Sequence, residues 1–174
     1  MATAAPTTAI QLDESKIKFI EDSFSNNFKF RMLLMRILPM GFLSGMRIKS
    51  LTRERCEVGL RYKWLIKNPF RSTFWAVMGM AGEMTSGALL MLYTYGQKPS
   101  IATILVSQSS KFYKKGVGKM TYVCESGEEM RKTVERAYKS GAGEVIDCPV
   151  QAYDEAGELI AEFVFTWSMK VRKK

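Results

Sequence analysis

Glu83 is the only charged side chain in the apolar stretch FWAVMGMAGEMTSGALLMLYTY, which runs from Phe74 to Tyr95. A carboxylate taken out of water is strongly disfavoured unless it is paired, hydrogen-bonded or neutralised. Glu83 is therefore either a structural group satisfied by a polar recess that Thr85 and Ser86 help to form, or a reactive acid–base group. The rest of the chain narrows the chemistry. It contains no histidine, which removes Ser-His-Asp and Cys-His triads, His/Asp pairs and imidazole metal sites. The three cysteines, Cys56, Cys124 and Cys148, form no CxxC pair, and their odd number argues against a disulfide framework and for a reducing, cytoplasmic setting. No metal and no cofactor are expected.

The elements that must position Glu83 are read from apolar spacing. Ile17, Ile20, Phe24 and Phe28 recur at helical intervals behind Asp13 and Ser15, which predicts a helix over about residues 14–25, broken by Asn26 and Asn27. A second helix carries Phe30, Leu33, Leu34, Ile37 and Leu38 on one face, with Pro39 as its stop. After the turn PMGFLSG the period becomes two. Met46, Ile48 and Ser50 alternate with Arg47 and Lys49, and Cys56, Val58 and Leu60 alternate with Glu57 and Arg61, which gives two strands joined at Thr52 to Glu54. The loop WLIKNPFRST leads into the long apolar helix. Strands return in IATILVSQSSKFYKK and GKMTYVCESG, and a capping box of Ser126 and Glu129 opens a surface helix that Gly141 ends. GEVIDCPVQAY, a turn at DEAG, and ELIAEFVFTWSMKV form a hairpin. Consecutive strands predict antiparallel pairing with one helix on a face of a curved sheet. The apolar helix then lies inside the protein, with no transmembrane segment, and Gly79, Gly82 and Gly87 let its backbone approach the strands.

Twenty-six Lys and Arg against seventeen Asp and Glu give a formal charge of +9, which favours anionic partners. The cations are spread along the chain without the aromatic interleaving of a single-strand binder, so no specific nucleic-acid partner is expected. Hydrophobic residues make up 47% and charged residues 25%, a composition that suits one folded domain over residues 13–174. Residues 1–12 carry no secretory pattern and are expected to be loosely ordered.

The loop NPFRSTFWA and the acidic residue two turns into the helix resemble the PaaI-like branch of the hot dog fold acyl-CoA thioesterases, over residues 28 to 170. In that branch a loop Asn precedes a His-Gly-Gly triplet, and an Asp or Glu follows nine residues after the His. Asn68 matches the Asn, Glu83 falls nine residues after Phe74, and Phe74, Trp75 and Ala76 stand where the triplet would be. The resemblance implies an α+β hot dog fold, a curved antiparallel sheet wrapped around one long central helix, with two N-terminal helices and one extra surface helix. It implies hydrolysis of an acyl-CoA thioester with Glu83 as general base or nucleophile and Asn68 orienting the water or the carboxylate. The unsatisfied amides of Trp75 and Ala76 would be the oxyanion hole. Desolvation would raise the pKa of Glu83 and hydrogen bonds would hold it down. Replacement of both glycines restricts the approach of a thioester to the backbone, so a non-catalytic hot dog protein binding acyl-CoA or an acyl chain is the second reading. The family's assembly implies a homodimer or dimer of dimers in which Glu83 faces the partner. Arg71, Phe74 and Ser100 are candidate substrate contacts, Ser100 from the second subunit. Met78, Met80, Met84 and Met91 are core or the wall of an acyl tunnel. Lys111, Lys114, Lys115 and Lys119, or Arg131, Lys132 and Arg136, are candidates for the phosphates of coenzyme A.

Overall fold

Polar caps set the first elements. In the computed structural model, which describes residues 12–172, the Asp13 side chain accepts from the Ser15 N–H (2.9 Å) and opens α1 (Glu14–Ser25), which buries Ile17, Ile20 and Phe24. The expectation for residues 1–12 lies outside the described residues except at Leu12, which is buried. Asn26 ends α1, and its side chain accepts from the N–H groups of Phe28 and Lys29 (both 3.0 Å) to start α2 (Asn27–Ile37). This break turns Phe28 out of the α1 stripe and leaves it exposed. Pro39 does more than stop α2. It sits in the first turn of a short third helix, α3 (Pro39–Ser44), where a missing N–H removes no helical bond. The segment PMGFLSG, expected as a turn, is therefore mostly helical.

Six strands, β1 (Arg47–Leu51), β2 (Cys56–Arg61), β3 (Ile101–Phe112), β4 (Lys119–Cys124), β5 (Gly143–Tyr153) and β6 (Leu159–Val171), form one antiparallel sheet in the order β1-β2-β4-β5-β6-β3. A bulge between Ile48 and Ser50 shifts the inward face of β1, so Leu51 rather than Ser50 is buried. The β5–β6 turn closes as expected, with Asp154 accepting from the N–H groups of Ala156 (3.0 Å) and Glu158 (2.9 Å).

The long helix α4 (Trp75–Thr94) packs on β1, β2, β4, β5 and β6. Among the described residues no helix is long and apolar enough to cross a membrane. Gly82 supplies the close approach, because a Cβ there would stand 3.0 Å from the Phe165 ring. Gly79 does not, since its Cβ position faces open space. The buried Trp167 indole N–H donates to Ser86 Oγ (3.1 Å) and ties β6 to α4. Helix α5 (Gly127–Ser140) lies against α4, β5 and β6. Its start differs from the expected capping box, since the Ser126 side chain makes no capping bond. Gly127 locates the helix instead, donating its N–H to the Glu54 carbonyl (2.9 Å). Cys56, Cys124 and Cys148 are free and buried.

Candidate active site

The loop before α4 is organised by Asn68. Its Oδ1 accepts from the N–H groups of Phe70 (3.0 Å) and Ser72 (3.1 Å), and its Nδ2 donates to Ser72 Oγ (3.0 Å) and to the Thr73 carbonyl (3.4 Å). These bonds hold Arg71 at φ 60, a left-handed conformation that a non-glycine residue adopts at a cost of about 1 kcal/mol. Thr73 is tied to the β3–β4 connection, with both its N–H and its hydroxyl donating to the Gly116 carbonyl at 2.8 Å. Phe74 donates its N–H to Ile66 and stands as the N-cap of α4. The Phe74 carbonyl accepts from Val77 (3.0 Å) and Met78 (3.2 Å), so the amides of Trp75 and Ala76 are left with no protein acceptor among the described residues. Asn68, Ser72, Thr73, Trp75 and Lys115 line a cavity of 350 Å³ there.

Glu83 lies elsewhere. It is partly buried on the wall of a second cavity, of 310 Å³, closed on one side by Phe30, Leu33, Leu34 and Ile37 of α2. The other walls are Met80, Met84 and Met91 of α4, with Thr103 and Trp167 from the sheet. Among the described residues the Glu83 carboxylate has no salt bridge and no side-chain hydrogen bond. Thr85 and Ser86, the expected polar recess, donate instead to the helix carbonyls of Ala81 (2.7 Å) and Glu83 (3.1 Å). Burial therefore acts on the carboxyl unopposed and pushes its pKa above the ordinary 4.5. A carboxylate whose pKa is raised is a stronger base than an ordinary one.

The predicted site residues thus divide. Asn68, Arg71, Phe74, Trp75 and Ala76 are gathered at the start of α4, whereas Glu83 is eight residues into the helix, about 12 Å along its axis from Trp75. Ser100 is exposed beyond the other end of α4 and belongs to neither lining. Three of the four methionines singled out by spacing line the Glu83 cavity, and Met78 is buried.

Most of the candidate phosphate-binding cations already have partners. Lys114 pairs with Asp154 and Glu158, Lys119 with Glu155, Arg131 with Glu128 and Glu135, and Arg136 with Glu129 and Glu144. Lys114 and Lys115 of that set line the Asn68 cavity, where Lys115 donates to the Phe70 carbonyl (3.1 Å). Thr103 and Trp167 are cavity residues that spacing did not mark. Alternation shows Trp167 to be inward-facing, but no signal along the chain brings it to Glu83. Among the described residues no three Cys, Asp or Glu side chains converge as metal ligands.

Comparison with solved structures supports the fold. The chain is similar to PA5026 of Pseudomonas aeruginosa, described as a protein of unknown function and probable thioesterase, with TM-score 0.71 and 18% identity over 82% of this chain and 93% of that one. It is similar to OLEI01261 of Chlorobaculum tepidum, of unknown function, at TM-score 0.70 and 12% identity over 92% and 98%. Thioesterase HI1161 of Haemophilus influenzae follows at TM-score 0.62 and 13% identity over 85% and 93%. At these identities the likeness is one of architecture, and that architecture is the hot dog fold. None of the curated proteins compared matches the sequence. The family model described as "Domain of unknown function (DUF4442)" matches residues 27–169, and the chain belongs to that family.

Proposed function

We propose that the protein hydrolyses the thioester of an acyl-CoA, with the acyl chain in the 310 Å³ cavity and Glu83 as the base. The observation that carries this reading is an unpaired, partly buried carboxylate, its pKa raised by burial, on the wall of an otherwise apolar hollow. Glu83 takes a proton from water as the water oxygen attacks the thioester carbonyl carbon. The oxyanion that forms is received by the free amides of Trp75 and Ala76, and its collapse breaks the C–S bond, the leaving sulfur taking the proton from Glu83 so that the thiol and the acid are released.

Base and amides lie about 12 Å apart along α4 and border separate cavities, so one thioester and its attacking water are not held by both within a single chain. The reading therefore includes a homodimer in which Glu83 of one subunit works with the helix start of the other. Asn68, Arg71 and Phe74 then border the thioester. The PaaI-like branch is the kind of hot dog enzyme meant, with Phe74-Trp75-Ala76 in place of its triplet.

A panel of short, long and aromatic acyl-CoAs assayed with wild type and Glu83→Gln tests the proposal. Turnover in the wild type and a loss of about 10²-fold or more in the folded variant are expected. Equal turnover in both would sink it. A second reading, acyl-CoA binding without hydrolysis, is favoured by the hydrogen bonds that commit Asn68 to its own loop. Saturable binding with no thiol release across the panel would establish it.

A further inference from the structure

Six cations, Arg31, Arg47, Lys49, Arg61, Lys63 and Lys119, line a cavity of 520 Å³ whose lining includes no acidic residue. It lies on the face of β1, β2 and β4 that α4 does not cover, with α2 and α3 as its rim. Only Lys49 and Lys119 meet carboxylates, Glu57 at 3.9 Å and Glu155 at 3.4 Å. Arg31 lies over the Phe42 ring (4.7 Å), Lys63 donates to the Leu43 carbonyl (2.7 Å), and Arg47 and Arg61 have no ion pair among the described residues. Arg61 and Lys119 are direct cross-strand partners. Like charges opposite one another destabilise a sheet; Glu155 partly offsets this at Lys119 (3.4 Å), and an anion in the cavity would add to that relief.

Apart from Glu57 and Glu155 at its edge, the chain segments around the cavity are basic. There is no acidic residue between Asp22 and Glu54, nor between Glu57 and Glu83. Against this rim stand large apolar side chains in solvent: Met40 (61% exposed) and Leu43 (48%) on α3, and Trp64 (77%) and Leu65 (53%) on the 3₁₀ turn Trp64–Ile66. The bond from Lys63 to Leu43 joins these two segments into one patch.

We infer that this patch docks on an anionic phospholipid surface, with a lipid headgroup phosphate in the basic cavity and Met40, Leu43, Trp64 and Leu65 in the interfacial layer. Stable surface attachment takes apolar insertion together with a basic patch, and both are present. A second copy of the chain fits poorly, because an isologous contact presses the same cations against themselves. The patch also lies at the β1 end of the sheet, opposite the β3 edge. Nucleic acid has phosphates for the cavity but no use for Met40, Leu43 and Leu65, whereas Trp and aliphatic side chains partition into the headgroup boundary. The inference stands apart from any thioesterase activity.

The test is co-sedimentation of the full chain with vesicles of phosphatidylcholine alone or of phosphatidylcholine with phosphatidylserine, over a salt series. Binding is expected on the anionic vesicles alone and weakens as salt rises. Arg47→Gln and Arg61→Gln each lower the partition about fivefold. Trp64→Ala with Leu65→Ser lowers it about tenfold or more and leaves the core intact, since both side chains are exposed and the buried Ile66 is kept. Four outcomes overturn the inference: equal binding to both kinds of vesicle, binding to neither, full binding by the Trp64/Leu65 variant with loss of a dimer, or tighter binding to DNA or RNA than to the vesicles at physiological salt.

Discussion

Glu83 is a single carboxylate with no partner among the described residues and with methionine and leucine around it. Because burial raises its folded-state pKa above 4.5, folding favours the protonated form. Below 4.5 the group is protonated in folded and unfolded chains alike, and it imposes no penalty. As pH rises through the raised folded value the native state loses stability relative to the unfolded chain. Glu83→Gln carries no such penalty, so its Tm should match wild type in acid and exceed it at neutral pH. Each kcal/mol of relieved desolvation reads as about 2–4 °C in a chain of this size. Calorimetry across that range checks the sign, and a variant less stable than wild type at neutral pH would mean that the carboxylate is held by a favourable contact. If Glu83 is the base, turnover rises with pH through the same raised value.

At the scale of elements, the positions of α4 and α5 rest on close backbone approaches more than on caps. Gly82 admits the Phe165 ring, and Gly127 lies so near the β1–β2 connection that an added Cβ would stand 2.1 Å from the Arg53 carbonyl oxygen. The Tyr93 hydroxyl donates to that same carbonyl (2.6 Å), so Arg53 links α1 and α4 through its backbone and its ion pairs to Glu14 and Glu21, while the next carbonyl, of Glu54, holds α5. Gly127→Ala must push backbone aside and is expected to cost about 3 kcal/mol or more, a fall in Tm of at least about 6 °C. Ser126→Ala should have little effect on Tm, because its side chain does not cap the helix. A thermal shift series on the two variants separates close approach from capping as what locates α5.

For the whole molecule, the decisive feature is the β3 edge. One end of the sheet is the five-residue β1 and the other is the twelve-residue β3, whose Ile104 and Val106 are 63% and 52% exposed. A long edge with open N–H and C=O groups is a template for another strand. Pairing between two copies of β3 would extend the sheet across a homodimer, the assembly that the separation of Trp75 and Glu83 calls for. Light scattering is expected to give the mass of two chains for wild type and of one for Ile104→Lys, a charge that blunts edge pairing. A wild type that stays single at high concentration would remove both the dimer and the shared site.

Local chemistry was legible without coordinates. The cap at Asp13, the helix break at Asn26, the stop at Gly141, the DEAG turn and the two-residue alternation of β6 depend on neighbours a few positions away, and they hold in the structure. The isolated charge of Glu83 was legible for the same reason. What lies around each group was not. Placement of Asn68 and Glu83 in separate cavities, the arrival of α2 and Trp167 at the carboxylate, and the pairing of Lys114 with Asp154 and Glu158 and of Lys119 with Glu155 follow from the strand order. That order sets β3 beside β6 and β2 beside β4, and such distances are decided by burial of the whole apolar face at once, which spacing along a chain does not encode.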